Sequence, residues 1–421
     1  MTYQEALAYL DGAQWFGAEP SLRRIEALLH ALGDPQRKLK FVHIAGTNGK
    51  GSAAAMLASV LRAAGYRTGL YTSPYLYRFS ERMQIDGEEI GAEALARHVE
   101  TVRAKAERLD EHPTEFELMT ASAVLWFVEQ GCELTVMEAG LGGRFDATNA
   151  LGTPECALIM NIGLDHTGIL GHSVEAIAAE KAGIIKSGAP CVAYEQGDSV
   201  LGLIRSRCEA LGTTLSVPDF SSIETEFDSL EGQVFSYRGA QYALSLLGAH
   251  QRRNAAAVIE TVIALRERGW HIPQDALEHG LYATAWPGRF ELCCDEPPFI
   301  VDGGHNPQCA AAVCESLLHY FPDKRRVLLL GILKDKDYTS MAAILDRAAD
   351  EYVCTAPESG RALPAAELAE VVRGFGKKLS VCESVSDAVF TAKERAGADG
   401  MVCATGSVYL AGSVRYQLGM Y

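Results

Sequence analysis

Positive charge is scarce in this sequence of 421 residues. Lysine and arginine together number 38 against 54 aspartate and glutamate residues, so the formal net charge at pH 7 is -16. Nucleic acid phosphates and anionic membrane surfaces repel such a chain, and we expect neither nucleic acid nor membrane as a partner. A small anionic substrate is still allowed, because the local field in a cleft can oppose the overall sign.

The sequence also lacks a metal-binding or disulfide pattern among its eleven cysteines. No Cys-x-x-Cys pair occurs, and most of the cysteines are scattered, which is typical of reduced thiols in a cytosolic core. No apolar run reaches membrane-spanning length, and the acidic, amphipathic start MTYQEALAYLDG does not resemble a signal peptide. We expect a cytoplasmic protein, and we expect it to act as a monomer.

Strand and helix patterns alternate along most of the chain. Short apolar runs such as KFVHIAG and ELTVMEAG alternate with helical segments such as SAAAMLASVLRAAG and FELMTASAVLWFVEQG. This order is typical of an α/β fold whose mainly parallel sheet is covered by helices on both faces. Residues 213–247 instead form short alternating segments separated by turn residues, which predicts a small antiparallel appendage.

A glycine-rich turn joins the first buried strand to a helix. Residues 46–52, GTNGKGS, depart from the standard G-x-x-x-x-G-K-[ST] spacing, because Gly51 separates Lys50 from Ser52. A strand, a glycine-rich turn and a helix still aim backbone N–H groups and a helix N-terminus at an anion. Lys50 adds a positive charge for terminal phosphates and Ser52 a hydroxyl. We predict a phosphate-binding loop of variant spacing, with its helix beginning at Ser52.

Candidate metal ligands follow the neighbouring strands. Glu138 ends an apolar strand before a second glycine-rich turn, and Asp165 and His166 follow the next strand. Ser73 ends a further strand, and Arg82 lies beyond it. Phosphoryl transfer requires Mg²⁺ with oxygen ligands, so we interpret Glu138 as a magnesium ligand and His166 as a second candidate. The alternative for His166 is a structural role.

A second series of strands and helices begins after Pro287 and Gly288. We predict two domains: residues 1–288, a P-loop ATPase-like domain, and residues 289–421, a smaller doubly wound, Rossmann-like domain. The second series opens with IVDGGHNP, which places Asp302 at the end of a strand. A simple turn between strand and helix is the alternative interpretation of this segment.

Several of these segments resemble one known family, the folylpolyglutamate synthases, whose bacterial members often also act as dihydrofolate synthases and which belong to the Mur ligase group. The segments follow one another in family order over nearly the whole chain, and the unusual loop spacing is the form that this group carries. They are GTNGKGS, TSPYL with SERMQIDG, EAGLGGRFDATN, NIGLDHTGILG with EKAGIIKSG, WPGRFE and VDGGHNP. The resemblance implies that the first domain is similar to the central domain of the Mur ligases.

The resemblance implies an ATP-dependent acid–amino acid ligase. A carboxylate of tetrahydrofolate, or of dihydropteroate, attacks the γ-phosphate of ATP, and the amine of L-glutamate then displaces phosphate from the acyl phosphate. ATP and two Mg²⁺ ions are therefore implied. Some bifunctional members carry a Leu-Asp pair that helps to bind dihydropteroate. The corresponding stretch here, EPSLRRIE, lacks that pair, so the use of dihydropteroate stays open.

The resemblance also assigns site residues. Contacts to ATP fall to Gly49, Lys50, Gly51, Ser52, Asn254, Arg289, Asp302 and His305. Metal ligands are Ser73, Glu138, His166 and Lys181, the last at the position of a carbamylated lysine in the family. The catalytic set is Lys50, Glu138, His166 and Lys181. Substrate contacts fall to Arg82, Phe116, Glu117, Phe145, Asp146 and Ala147. Phe116 could instead belong to a helix core, and Arg82 to a surface ion pair.

Two other functions are compatible with a phosphate-binding loop. The first is another Mur-type ligase, acting on a cell-wall nucleotide precursor; the start of the loop at residue 46 disfavours the extra N-terminal domain that would hold a UDP group. The second is a nucleotide-binding switch without chemistry. A switch does not need the metal ligands predicted at Glu138 and His166, which favours an enzyme.

Overall fold

The computed structural model describes residues 1–13 and 20–420. These residues form two compact units, the first comprising residues 1–74, 79–223 and 253–284, and the second comprising residues 75–78, 224–252 and 285–421. The antiparallel segment therefore groups with the C-terminal residues. The domain boundary between residues 288 and 289 stays a prediction. Glu19, in the stretch EPSLRRIE, lies outside the described residues.

The described residues of the first unit form an eight-stranded sheet. Six strands run parallel in the order β2-β5-β1-β6-β7-β8, and β3 and β4 extend the sheet as an antiparallel edge beside β2. The mainly parallel sheet is thus confirmed. The strands are β1 (Phe41–Ala45), β2 (Thr68–Tyr71), β3 (Met83–Ile85), β4 (Glu88–Glu89), β5 (Leu134–Glu138), β6 (Cys156–Ile159), β7 (Cys191–Ala193) and β8 (Leu215–Ser216).

Helices connect these strands. They are α1 (Tyr3–Gly12), α2 (Arg23–Ala31), α3 (Lys50–Ala63), α4 (Ala92–Ala106), α5 (Glu115–Glu129), α6 (Thr167–Leu170), α7 (Val174–Lys181), α8 (Asp198–Leu211), α9 (Ala249–Glu267) and α10 (Gln274–Tyr282). Short 3₁₀ helices span Pro35–Lys38, Phe79–Arg82, Ala147–Leu151, Ala182–Ile184 and Phe220–Ser222. The prediction that the helix after the phosphate loop begins at Ser52 was wrong. That helix, α3, begins at Lys50, because Gly49 adopts a left-handed φ of 83° and the chain turns there.

Helix α5 shows how the sequence encodes one of these helices. Thr114 and Glu117 form a capping box: the Thr114 side chain accepts a hydrogen bond from the backbone N–H of Glu117, and the Glu117 carboxylate accepts one from Thr114. Both polar residues are buried. The cap therefore provides acceptors for backbone N–H groups that would otherwise be buried without a hydrogen bond. The apolar side chains of the helix follow directly and enter the core.

The second unit contains two sheets within its described residues. The three-stranded sheet, in the order β11-β10-β9, is antiparallel, as predicted. The six-stranded sheet has the order β12-β13-β17-β14-β15-β16, in which the edge strand β12 is antiparallel and the other strands are parallel. The strands are β9 (Glu224–Ser229), β10 (Gly232–Tyr237), β11 (Ala240–Leu244), β12 (Glu291–Asp295), β13 (Pro298–Val301), β14 (Arg325–Leu330), β15 (Glu351–Cys354), β16 (Lys378–Val381) and β17 (Gly400–Thr405).

The six-stranded sheet is covered on both faces. One apolar cluster joins it to α11 (Pro307–Tyr320), α12 (Tyr338–Leu345) and α13 (Ala365–Arg373). A second cluster joins it to α14 (Val385–Ala396) and α15 (Val408–Gln417). A 3₁₀ helix spans Asp346–Ala348. The doubly wound arrangement predicted for this part of the chain is confirmed.

The cysteines were predicted to be reduced thiols in the core. All eleven are free thiols, and most of them are buried. Among the described residues, no helix combines the length and the apolar character needed to cross a membrane.

Candidate active site

Three candidate site residues meet at one edge of the sheet in the first unit. Strand β1 ends just before the phosphate loop (residues 46–52), and β5 ends at Glu138. In the sheet Ile44 lies opposite Glu138. The carboxyl ends of parallel strands face the same side, so Lys50, Ser73 and Glu138 lie close together.

The phosphate loop is held by contacts within the first unit. The backbone N–H groups of Thr47 and Asn48 both donate to the carbonyl oxygen of Asn161, at 2.7 and 3.1 Å. Gly49 lies against α9: a Cβ at this position would be 2.7 Å from Asn254 Oδ1. The first N–H groups of α3 have no acceptor within the helix and carry its positive dipole end. The loop therefore has the local geometry of an anion-binding site.

Glu138 is a buried carboxylate beside the lysine of this loop. Glu138 is 3% exposed. Lys50 Nζ lies 3.7 Å from Glu138 Oε1, and the backbone N–H of Ser73 donates to Glu138 Oε2 at 3.2 Å. A carboxylate removed from water in this way needs positive charge and donors around it. The Lys50 ammonium and the Ser73 N–H supply part of this compensation, and the role of Glu138 as a metal ligand stays a prediction.

These oxygen donors fit a magnesium ion. A carboxylate and a neighbouring serine hydroxyl are ligands that Mg²⁺ prefers, and this ion usually keeps water and phosphate oxygens as its remaining ligands. Within the part of the chain that the structure describes, no three His, Cys, Asp or Glu side chains gather where they could hold a metal by themselves. His166 directly precedes α6 with a left-handed φ of 50°, and its backbone N–H donates to Asp165 Oδ1 at 2.8 Å. Its role as a ligand stays a prediction.

Lys181 ends α7 and is also buried. Its Nζ donates a hydrogen bond of 2.8 Å to the carbonyl oxygen of Gly46, the first residue of the phosphate loop. Burial, followed by the positive charge of Lys50, lowers the pKa of Lys181 from 10.5 to about 7, although Asp165, Asp146 and Glu138 act in the opposite direction. The uncharged amine is therefore more accessible near neutral pH than that of an exposed lysine.

The segment after Glu138, which we call the glycine loop (residues 139–149), is organised by Asp146. Its Oδ1 accepts hydrogen bonds from the backbone and side chain of Thr148, and its Oδ2 accepts from the backbone N–H of Leu141 at 2.8 Å. Burial raises the pKa of Asp146, and these hydrogen bonds oppose the rise. The carboxylate thus shapes the loop in which we predict substrate contacts.

The glycine loop also packs on the segment that carries Lys181. The backbone N–H of Arg144 donates to the carbonyl oxygen of Glu180 at 2.8 Å. A Cβ at Gly143 would lie 2.8 Å from the carbonyl oxygen of Lys181, and one at Gly183 would lie 2.5 Å from Arg144 Cα. The two backbones approach so closely that only glycine fits at these positions.

The remaining substrate candidates lie in different surroundings. The Phe116 ring packs on Gly140 and lies 5.9 Å from the ring of Tyr71. Phe145 is 46% exposed, Ala147 is buried, and the Arg82 guanidinium lies over the Phe79 ring. The Glu117 carboxylate caps α5 and pairs with Arg24 at 3.1 Å. Phe116 thus adjoins the glycine loop, whereas the contacts of Glu117 are those of a structural residue.

The second unit gathers three of the predicted ATP-binding residues around one turn. Asp302 Oδ2 accepts from the backbone N–H of Phe290 at 2.8 Å, and Oδ1 accepts from that of Gly304 at 2.7 Å. His305 Nδ1 lies 3.1 Å from the carbonyl oxygen of Gly303. Arg289 precedes Phe290, so the Asp302 carboxylate links the two segments in which these residues lie.

Two residues that support the site were not predicted from the sequence. Asn161 accepts both hydrogen bonds from the phosphate loop through its backbone carbonyl, and no side-chain pattern can reveal a backbone role. His43, on β1, contacts Thr148 in the glycine loop. A polar residue inside an otherwise apolar central strand was the available signal.

Two family models and a full-length relative match this chain. The model of the Mur ligase middle domain matches residues 44–262, and that of the Mur ligase glutamate ligase domain matches residues 288–408. The chain is 37% identical over 428 residues to the dihydrofolate synthase/folylpolyglutamate synthase of Bacillus subtilis, covering 99% of each protein.

Solved structures are similar over the same length. Mycobacterium tuberculosis folylpolyglutamate synthase complexed with ADP and AMPPCP gives a TM-score of 0.90 at 32% identity, with 99% of this chain and 98% of that chain covered. The bifunctional folylpolyglutamate synthase/dihydrofolate synthase of Yersinia pestis, complexed with AMPPNP and an Mn ion, gives 0.87 at 29% identity, with 100% and 98% covered.

Proposed function

The chain belongs to the folylpolyglutamate synthase/dihydrofolate synthase family of the Mur ligases and is an ATP-dependent ligase, and on that premise we propose its substrates and the roles of its residues. The acid substrate is tetrahydrofolate, whose glutamyl carboxylate receives L-glutamate. The full-length folylpolyglutamate synthase relative supports this choice of acid. The observation that carries the proposed phosphoryl transfer is the placement of Lys50 Nζ 3.7 Å from the buried Glu138 at the phosphate loop. Dihydropteroate stays a predicted second acid substrate.

The residues of the phosphate loop hold the nucleotide. The N–H groups at the N-terminus of α3 face the phosphates, whereas those of Thr47 and Asn48 are bound to Asn161. Lys50 neutralises charge on the terminal phosphate as it is transferred. The Ser52 hydroxyl lies in the first turn of the same helix. Asn254, packed on Gly49, fixes the loop from the side of α9.

Divalent metal supports the transfer by neutralising phosphate charge. Ser73 and Glu138 are the residues that would hold it: Glu138 supplies a carboxylate beside Lys50, and Ser73, whose backbone N–H donates to that carboxylate, carries a hydroxyl. His166 and Lys181 are the proposed supports of a second ion. The donor chemistry of the buried edge supports these assignments. The Mn ion in the Yersinia pestis relative supports the use of a divalent ion.

The reaction forms and breaks two bonds in sequence. A carboxylate oxygen of the folate attacks the γ-phosphorus of ATP, and ADP leaves with the electron pair of the broken P–O bond. The amine of L-glutamate then attacks the acyl carbon and loses a proton, and inorganic phosphate leaves. Lys50 is the residue of this chain placed to stabilise the charge of the phosphoryl group throughout.

Lys181 is proposed to carry a carbamate. An uncharged primary amine can add CO₂ and release a proton, which converts the neutral side chain into an anion. The lowered pKa of Lys181 and its burial beside Lys50 both favour this change. A carbamate at this position would supply the negative charge that a second metal ion needs, while an ammonium group would repel the ion.

A phosphate-release assay tests the proposed function. Release of phosphate from ATP should require the protein, tetrahydrofolate, L-glutamate and Mg²⁺ together. Mass spectrometry should find tetrahydrofolate extended by one glutamate. Dihydropteroate, tested in parallel, reports the second activity. Phosphate release that does not depend on glutamate would contradict the ligase, and release that depends on glutamate but not on either pterin would point to another acid substrate.

A further inference from the structure

A buried histidine links the central strand of the first unit to the glycine loop. His43, on β1, is fully buried, and its Nε2 lies 2.8 Å from Thr148 Oγ1. The Thr148 hydroxyl donates to Asp146 Oδ1 at 2.5 Å. Thr148 and Asp146 are buried as well, so the three side chains form a continuous chain of contacts shielded from water. Contacts of this kind are strong in a low-dielectric interior and costly to break.

The direction of these hydrogen bonds fixes the state of the imidazole. A hydroxyl has one proton, and Thr148 gives it to Asp146, so the Thr148 oxygen accepts from His43. Nε2 therefore carries the ring proton and Nδ1 does not. Burial, together with the positive charge of Lys186, lowers the pKa of His43 to about 3, which keeps the ring neutral. His43 Nδ1 is buried, and no partner for it is found among the described residues.

The glycine loop is thus fixed at two ends by different elements. On one side its backbone packs on the segment that carries Lys181, through Gly143 and Arg144. On the other side the contact from His43 ties it to the strand that leads into the phosphate loop. Between these contacts lies Phe145, which is 46% exposed and free to meet a ligand.

We propose that His43 is a positioning residue for the acid substrate: its Nε2–H holds Thr148 and, through it, Asp146, so that the glycine loop keeps its place beside the phosphate loop. The inference rests on the proposed function and on the contacts predicted from the sequence between the acid substrate and Phe145, Asp146 and Ala147. His43 itself touches no reacting group. Its effect is expected in the binding of the acid more than in the binding of ATP.

Two variants of His43 separate positioning from simple packing. His43→Leu removes the donor at similar volume, while His43→Gln retains an N–H donor near the position of Nε2. His43→Leu should raise the KM for tetrahydrofolate roughly tenfold, the size expected for one buried hydrogen bond, and should change the KM for ATP less than twofold. His43→Gln should restore most of the loss. Equal increases in both KM values, or no rescue by glutamine, would overturn the proposal.

A spectroscopic measurement adds a readout that does not depend on turnover. Nitrogen-15 NMR of labelled histidine reports which ring nitrogen carries the proton, and His43→Gln identifies the signal. A neutral Nε2–H form whose signal shifts in Thr148→Val supports the proposal, and an Nδ1–H form overturns it. Failure of the proposed function would be seen separately, in the phosphate-release assay.

Discussion

Lys181 Nζ donates a hydrogen bond of 2.8 Å to the carbonyl oxygen of Gly46, so a buried amine touches the first residue of the phosphate loop. Such an amine is costly to keep charged, because burial removes its hydration and Lys50 repels it. This contact has consequences for the stability of the protein and for the chemical state of Lys181.

The stability of the protein should depend on pH through Lys181. The pKa is about 7 in the folded state and near 10.5 in the unfolded chain, so the folded state binds fewer protons between these values. The free energy of unfolding should therefore rise with pH across this window, by at most about 1.4 kcal/mol per pH unit. Urea denaturation in CO₂-free buffer should show this rise for the wild type relative to Lys181→Met. Parallel plots of the free energy of unfolding against pH for the two proteins would exclude it.

Bicarbonate should modify Lys181. Carbon-13 NMR of protein equilibrated with labelled bicarbonate should show a carbamate signal, because the uncharged amine reacts with CO₂. The signal should be absent from Lys181→Ala and present in Lys38→Ala, which changes an exposed lysine. A signal that persists in Lys181→Ala would place the modification elsewhere.

Lys50→Ala should remove most of the ligase activity while the protein stays folded. Lys50 is the lysine beside Glu138 at the phosphate loop, and its loss removes charge stabilisation from phosphoryl transfer. We expect kcat to fall by roughly 100-fold or more. The exposed Lys38→Ala serves as the control for turnover, and circular dichroism checks the fold. Near-normal turnover in Lys50→Ala would remove the loop from the mechanism.

Gly49→Ala should impair the use of ATP because the added Cβ would lie too close to Asn254, and not only because the backbone is strained. Gly49 and Gly188 share a φ of 83°, but an added Cβ meets Asn254 at Gly49 and open space at Gly188. Both alanine variants should lose roughly 1–2 kcal/mol of stability. Only Gly49→Ala should lower kcat/KM for ATP, by roughly 100-fold, because the loop and Asn254 must separate. Equal kinetic effects in both variants would contradict this account.

Most of the fold was predictable from the sequence because it rests on local signals. Apolar strands and amphipathic helices alternate at regular spacing, and the strand-end positions of Glu138 and Asp302 follow from that pattern. The two-residue strand β4 and its partner β3 were not predicted, since segments of that length carry no periodicity. The grouping of residues 224–252 with the C-terminal residues depends on contacts distant in sequence.

The site was predictable to the extent that its residues sit at strand ends. Glu117 is a predicted site residue that lies in the first turn of a helix and not at the end of a strand. The spacing Thr-x-x-Glu before an apolar run is the signature of a capping box, and in the structure Glu117 caps α5 and pairs with Arg24. The alternative to a substrate contact was therefore present in the sequence. Its role as a substrate residue stays a prediction.

The close backbone contact between Gly143 and Lys181 makes two parts of the site mechanically dependent. A ligand that displaces the glycine loop must also disturb the helix end bearing the amine, because no side chain lies between them to absorb the shift. If the acid substrate displaces the glycine loop when it binds, its occupancy and the chemical state of Lys181 are linked equilibria. Binding of the acid would then change the free energy of modifying Lys181 by the same amount as the modification changes the free energy of acid binding.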